Sequence, residues 1–443
     1  MGNNDYGAAI SSLEQATRLD PNFAIAYASL GTIYSNTSKP TQAAEYTKKA
    51  YDLRDRVSER ERFYIESHYF EFGTGNFEKA RQVYELWAQA YPRDSVPPTN
   101  LSNIYGNLGQ HDKALEKMQD ALRLSPRSPL SYANVVDSYI SVNSLKEAEA
   151  LAHEAQIKKL DSPFLHLLLY RLAFLQDDTA GMEQQVAWAA DKQGLEGILL
   201  DLGAGTAAYS GQLGKARGLS RRSVALIERA LGKEPAGSCE AEAAVREGLF
   251  GNAIEAGQRP RTALALSAGR EMQYGAALAL ALAGDVNRAS VLADDLDKRF
   301  PEDTYVQFNC LPTTRAQLAL IQKDYSSAID RLQTSVPYEL GTQGNFGFTG
   351  ALYAVYVRGQ AYLAARRGQE AVPEFQKILD HRGVVRSEPI GALAHLGLAR
   401  AYALKGDTAK ARATYQDFLT LWKDADPDIP ILKQAKAEYA KLK

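Results

Sequence analysis

The chain has 443 residues, with 51 basic against 53 acidic side chains and a formal net charge of −2 at pH 7. A balance this even argues against a dedicated surface for nucleic acid or for an anionic membrane. The length suits either two or three globular domains or one long array of repeats. Two cysteines, Cys239 and Cys310, fit no zinc-ligand spacing and are too few for a disulfide framework. The longest apolar run, residues 275–284, stops after ten residues at Asp285, too short to cross a bilayer as a helix. The opening MGNNDYGAAI has neither a basic nor an apolar segment of the kind that makes a signal peptide.

A period of 34 residues organises the sequence, and its clearest copy is residues 95–128. Counted from Ser95, Leu101 stands at position 7, Tyr105 at 11, Gly109 at 15, Ala114 at 20, Ala121 at 27 and Pro126 at 32. Small residues fall where two antiparallel helices must approach closely, and larger ones fill the space beside them. Proline closes the second helix because it lacks an N–H and clashes with the preceding turn. The pattern is identified as that of the tetratricopeptide repeat (TPR).

In chain order, residues 4–21 read as the second half of such a unit, with Ala9, Leu13, Ala16 and Pro21 in register. A solenoid starting in mid-repeat leaves an apolar helix face uncovered. The expectation is therefore a piece of a longer protein, and self-association into a homo-oligomer through this half-repeat is one reading of that face. Residues 24–57 form a clear repeat with Tyr27, Leu30, Gly31, Tyr34, Ala43 and Ala50 in place. Residues 61–94 come next, with His68 at the position that normally carries a small residue, so the first helix of this unit is expected to pack differently. Residues 95–128 and 129–162 continue the series. The pattern fades from residue 163 and is faint from 195 to about 270, then returns around Gly284, Ala289, Leu296 and Pro301. Residues 337–350, PYELGTQGNFGFTG, are too rich in glycine for a helix. Two more repeats cover residues 351–426, and a lysine-rich amphipathic helix with Ile431, Leu432, Ala435 and Tyr439 on one side ends the chain.

The predicted fold is all-α: a right-handed α-solenoid of about eleven TPR-like helical hairpins with a C-terminal capping helix. The expected divisions are a TPR array over residues 1–194, degenerate hairpins over 195–337, a glycine-rich loop over 338–350, two hairpins over 351–426 and the cap over 427–443.

Longer phrases narrow the comparison. SERERFYIESHYFEF at residues 58–72, YELWAQAYPRD at 84–94, LDSPFLHLLLY at 160–170, LADDLDKRFPEDT at 292–304 and ALAHLGLARAYALKGDTAKARATYQDFLTLW at 392–422 are examples. They resemble the C-terminal TPR regions of bacterial eukaryotic-like serine/threonine protein kinases and related multidomain regulators. The resemblance implies the sensing or scaffolding region of a signalling protein. It carries no kinase chemistry to any residue, because the sequence has no glycine-rich loop leading to a β3 lysine, no HRD and no DFG.

The candidate site is a set of asparagines. Asn100 and Asn134 occupy position 6 of adjacent repeats, and Asn103 and Asn107 occupy positions 9 and 13 of the first. On a TPR first helix these positions tend to line the concave groove. An amide both donates and accepts, so it can pair with a peptide backbone of any sequence; equally, asparagine is at home as a solvated surface residue. The same register adds Ile65, Tyr69 and Phe72 from the preceding repeat, and Arg171 and Phe174 from a later one. These are residue types common at interface hot spots, or else packing residues of the inner wall. The partner implied is a protein or peptide.

Other motifs carry less. Lys215, Arg217, Arg221 and Arg222 form a basic cluster that reads as a solvated face. The glycine loop 341–347 lacks the lysine-serine ending of a P-loop. The histidines show no metal-ligand spacing, and Asp428 is placed to cap the last helix. No cofactor motif, nucleophile–base pair or carboxylate dyad stands out, and the reading is of a non-enzyme. The alternative function is a small-molecule-sensing pocket in residues 195–350, with 337–350 as its lid, because lost pattern and a long loop often mark function.

Overall fold

The computed structural model describes residues 6–344 and 346–442. Among these the chain is helical throughout, with no strand. It divides into two compact units. The first runs through residue 169 and includes Phe300–Tyr305; the second comprises residues 170–299 and 306 onward.

The hairpins share a backbone device that is more regular than their sequence. One residue in each first-to-second-helix turn is left-handed: Ser38, Gly75, Gly109, Asn143, Asp177, Gly211, Gly251, Gly284, Lys323, Arg366 and Gly406. From Gly75 to Gly211 these recur every 34 residues. In all but the Gly75 turn, the N–H of the residue after the left-handed one bonds a carbonyl five residues back. Gln110 bonds Tyr105 at 2.7 Å, Asp178 bonds Ala173 at 2.8 Å and Asp407 bonds Tyr402 at 3.0 Å. This is the Schellman closure of a helix end, and it satisfies carbonyls that the helix cannot. Glycine adopts the conformation at no steric cost, yet several turns use Asn, Asp, Ser, Lys or Arg. The turn thus keeps its geometry where the residue pattern has faded.

In the first unit the pairs are Ala24–Asn36 with Pro40–Asp52, Glu59–His68 with Phe77–Ala90, Val96–Asn107 with His111–Leu124, and Pro129–Ser141 with Leu145–Ile157. The leading helix Tyr6–Leu19 rests on Ala24–Asn36 through Ile10 and Leu13, which pack against Leu30, Tyr34 and Ala43. Several helices begin with proline in the first turn, where a missing N–H costs nothing. Glu59–His68 begins with a reciprocal capping box between Ser58 and Glu61. Close approach of paired helices depends on small residues. A methyl added to Gly31 would meet Thr47 Cγ2 at 2.5 Å.

The repeat carrying His68 departs from the others, as its sequence implied. Glu59–His68 runs on into a π-helical turn, Tyr69–Gly73, marked by the Thr74 N–H bonding the Tyr69 carbonyl at 3.0 Å. The Gly75 turn after it is closed from elsewhere in the chain. Its carbonyl accepts the Thr304 N–H at 2.9 Å, and the Thr304 hydroxyl accepts the Phe77 N–H at 3.1 Å.

The second unit turns back on itself. Helix Pro389–Leu404 packs on both Leu195–Tyr209 and Lys233–Phe250, and the last helix, Pro430–Ala440, also reaches Lys233–Phe250. Trp422 Nε1 donates to the Tyr209 carbonyl at 2.9 Å, and its ring meets Phe250 edge-on at 5.1 Å. The Asp426 N–H bonds the Gly211 carbonyl at 3.1 Å, and its carboxylate accepts the Gly214 N–H at 2.6 Å. This closure buries Lys233–Phe250 on nearly every side, so the helix cannot keep an amphipathic stripe. One sequence expectation is corrected at the end of the chain. The residue preceding the last helix is Ile429, with no side-chain cap bond, so Asp428 does not cap it. The buried anchors of that helix are Ile429, Leu432 and Ala435.

Candidate functional site

The asparagines lie on first helices of the first unit. Asn100, Asn103 and Asn107 come from Val96–Asn107, and Asn134 from Pro129–Ser141. Each helix buries one face: Leu101, Ile104 and Tyr105 on the former, Tyr132, Val135 and Val136 on the latter. That leaves Asn103 exposed and Asn100, Asn107 and Asn134 half-buried. None of the four side-chain amides hydrogen-bonds to another described residue, whereas neighbouring polar groups do: the Thr99 hydroxyl donates to the Ser95 carbonyl at 2.8 Å, and the Tyr105 hydroxyl to Glu85 at 2.7 Å. Beside them Gly106 faces open space, since a methyl added there would meet nothing within 4 Å.

Of the other residues expected on this surface, Ile65, Arg171 and Phe174 are buried and Tyr69 and Phe72 are half-buried. Ile65 is fully buried among Ala24, Ala28 and Ala50. Tyr69 stacks on Tyr51 at 3.9 Å, with the Arg54 guanidinium 3.9 Å from the Tyr51 ring. Phe72 packs against Leu30, Tyr34 and Ala43 and lies edge-on to His68 at 5.6 Å. The register argument assumed a regular helix through Phe72, whereas residues Tyr69–Gly73 form a π turn. Arg171 and Phe174 belong to the second unit, where both are buried; Phe174 meets Tyr209 edge-on at 5.1 Å. Ile65, Arg171 and Phe174 therefore offer no free face, while Tyr69 and Phe72 remain half-buried like Asn100, Asn107 and Asn134.

Sequence reasoning missed two features. The first is a polar knot in the first unit, in which His68 and Tyr84 are buried and Glu71 is half-buried. His68 Nδ1 donates to the Tyr64 carbonyl at 2.8 Å, and the Tyr84 hydroxyl donates to Glu71 at 2.7 Å. Burial holds His68 down at about 4 and lifts Glu71 to about 7, in each case partly opposed by the hydrogen bond just given. The only advance sign was His68 at a small-residue position.

The second lies inside the closed turn of the second unit. Asp201, Glu242, Arg246 and Glu388 are all buried there. Arg246 pairs with Glu242 at 2.6 Å and donates to Ser220 Oγ at 3.0 Å. Burial raises all three carboxyls above the usual range, with Arg246 opposing the rise in each. Burial also works against the Arg246 charge, but Glu242 and Asp201 more than offset that. Nearby, Arg217 of the expected solvated cluster is held by buried Glu247 at 2.7 Å. Within residues 337–350, expected as a lid, Phe348 is buried. Among the described residues no group of three or more His, Cys, Asp or Glu is placed to hold a metal ion, and no helix is long and apolar enough to cross a membrane.

Comparison with known proteins identifies the repeats. Residues 1–56 and 352–428 match one family model of the tetratricopeptide repeat, and residues 99–128 match a second. These segments, including the one that carries Asn100, Asn103 and Asn107, are TPRs. Among solved structures, the crystal structure of the yeast Tom70 aligns over 95% of this chain and 95% of its own, at 13% identity and a TM-score of 0.38. No curated protein matches the sequence.

Proposed function

We propose that the chain is a non-catalytic scaffold that binds an extended peptide of a protein partner along the first-helix face of the first unit. The observation that carries this reading is the set of four asparagine amides on Val96–Asn107 and Pro129–Ser141 with no hydrogen bond to another described residue, next to open space at Gly106. Each amide offers both a donor and an acceptor to a peptide backbone. Each such bond is worth about 0.5–1.5 kcal/mol net, so affinity needs several acting together. The phrases shared with bacterial kinase TPR regions support a place for the chain as the sensing or scaffolding arm of a bacterial signalling protein.

The test is a pulldown from a lysate of the source organism, read by mass spectrometry, with the wild type and Asn100→Ala/Asn134→Ala as baits. A protein held by the wild type and lost from the variant supports the reading. A protein held equally by both, with helix content unchanged, removes the asparagines from it.

A further inference from the structure

Residues 346–350 lie in the second unit as a bound peptide would lie in a receptor. The Gly347 N–H donates to Asp201 Oδ2 at 2.9 Å, and the Phe348 N–H donates to Ser238 Oγ at 3.1 Å. The Phe348 ring sits between Tyr274, with centroids 5.1 Å apart, and Tyr353, at 5.3 Å. Gly275 makes room for it, since a methyl there would fall 3.0 Å from Phe348 Cδ1 and 2.8 Å from Ala241 Cβ. The Thr349 hydroxyl donates to Glu388 Oε1 at 3.1 Å, while Tyr353 holds the other oxygen at 3.0 Å. The wall thus reads three features of the segment: its backbone donors, one aromatic ring and one hydroxyl. Asp201, Ser238 and Tyr274 come from three helices far from the segment in sequence, Glu388 from the residue before helix Pro389–Leu404, and Tyr353 from the helix that follows the segment directly.

The backbone near the segment leaves the favoured regions at two points. Leu352, where the chain leaves it, is left-handed at φ 59°, just ahead of helix Tyr353–Ala364. Arg386, two residues before Glu388, stands at φ 54° and ψ −130°, a region that L-residues with side chains avoid. Left-handed glycines at 344, 347 and 350 give the segment freedom to bend. Behind it Arg246, 1% exposed, has an Nε with no hydrogen-bond partner among the described residues.

We infer that the interior of the second unit is a second recognition site, which takes an extended peptide carrying an aromatic residue followed by threonine or serine, and that residues 346–350 are its resident occupant. Release of the segment opens the site to such a peptide from a partner. The inference is independent of the asparagine face, which lies in the other unit.

The probe is a fluorescein-labelled synthetic peptide, QGNFGFTGA, titrated into the full chain and read by anisotropy. In the wild type the resident segment competes at an effective concentration on the order of millimolar, so micromolar peptide does not displace it. Phe348→Ala/Thr349→Ala removes the resident's anchors, and the peptide then binds about tenfold or more tightly than to the wild type. A peptide with both anchors replaced by alanine does not bind. A variant of wild-type helix content that binds no better than the wild type, or that binds both peptides alike, overturns the inference. The wild type alone supplies a second test that needs no variant to fold. Hydrogen exchange at Gly347 and Phe348 proceeds by local release, faster than exchange in helix Lys233–Phe250. Equal protection of the two, set by one shared opening, also overturns the inference.

Discussion

Glu71→Gln should stabilise the first unit at alkaline pH and expose an opposing titration that the wild type conceals. Folding takes Glu71 from 4.5 to about 7. The folded state therefore binds a proton that the unfolded state has released, and stability falls as pH rises through that window. His68 moves the other way, from 6.5 to about 4, so the unfolded state holds the extra proton and stability rises with pH between those values. Each gap corresponds to about 3 kcal/mol at about 1.4 kcal/mol per pH unit. The windows overlap from pH 4.5 to 6.5, and the wild type should be nearly flat there. Glutamine keeps an acceptor for the Tyr84 hydroxyl, now at 2.7 Å from Glu71, and removes only the titration. The variant should equal the wild type near pH 4 and exceed it by about 2 kcal/mol at pH 6 and about 3 kcal/mol at pH 8. Repeat arrays need not unfold in one step, so the readout is hydrogen exchange of helix Phe77–Ala90 measured by mass spectrometry from about pH 4 to about pH 8. A variant no more protected than the wild type at about pH 8 would refute the reasoning.

Two further substitutions test the architecture. Gly31→Ala places a methyl 2.5 Å from Thr47 Cγ2 and should cost about 1–3 kcal/mol, read as lower denaturant resistance of the first unit. Lys323→Gly relieves an exposed left-handed turn at φ 63° and should raise stability by about 0.5–1 kcal/mol; a loss of protection in Leu311–Ile321 would contradict the assigned turn.

The hairpins of the first unit were legible because their requirements are local. Gly109 fits the left-handed turn, Ala114 and Ala121 fit the close approach, and all three recur at a fixed spacing. The same turn at Asp177 or Arg366 left no such mark, because hydrogen bonding and packing impose the conformation on residues that do not favour it. The π turn after His68 was invisible for a related reason: no residue type demands it. The enclosed interior of the second unit could not be read at all. Asp201 meets Gly347 across 146 residues of chain, and Glu242, Arg246 and Glu388 look like ordinary surface charges until closure buries them. Asn100 and Asn134 were singled out because they share one repeat position, and none of the four asparagine amides hydrogen-bonds to another described residue.

The most direct test of the central claim is calorimetric. A peptide from the partner segment captured by the wild-type chain is titrated into wild type and into Asn100→Ala/Asn134→Ala. Loss of two amides, each able to make one or two bonds worth about 1 kcal/mol, should weaken binding by about 2 kcal/mol, or about 30-fold, with helix content unchanged. Equal affinity for the two proteins would contradict the account and move the binding surface away from the asparagine face.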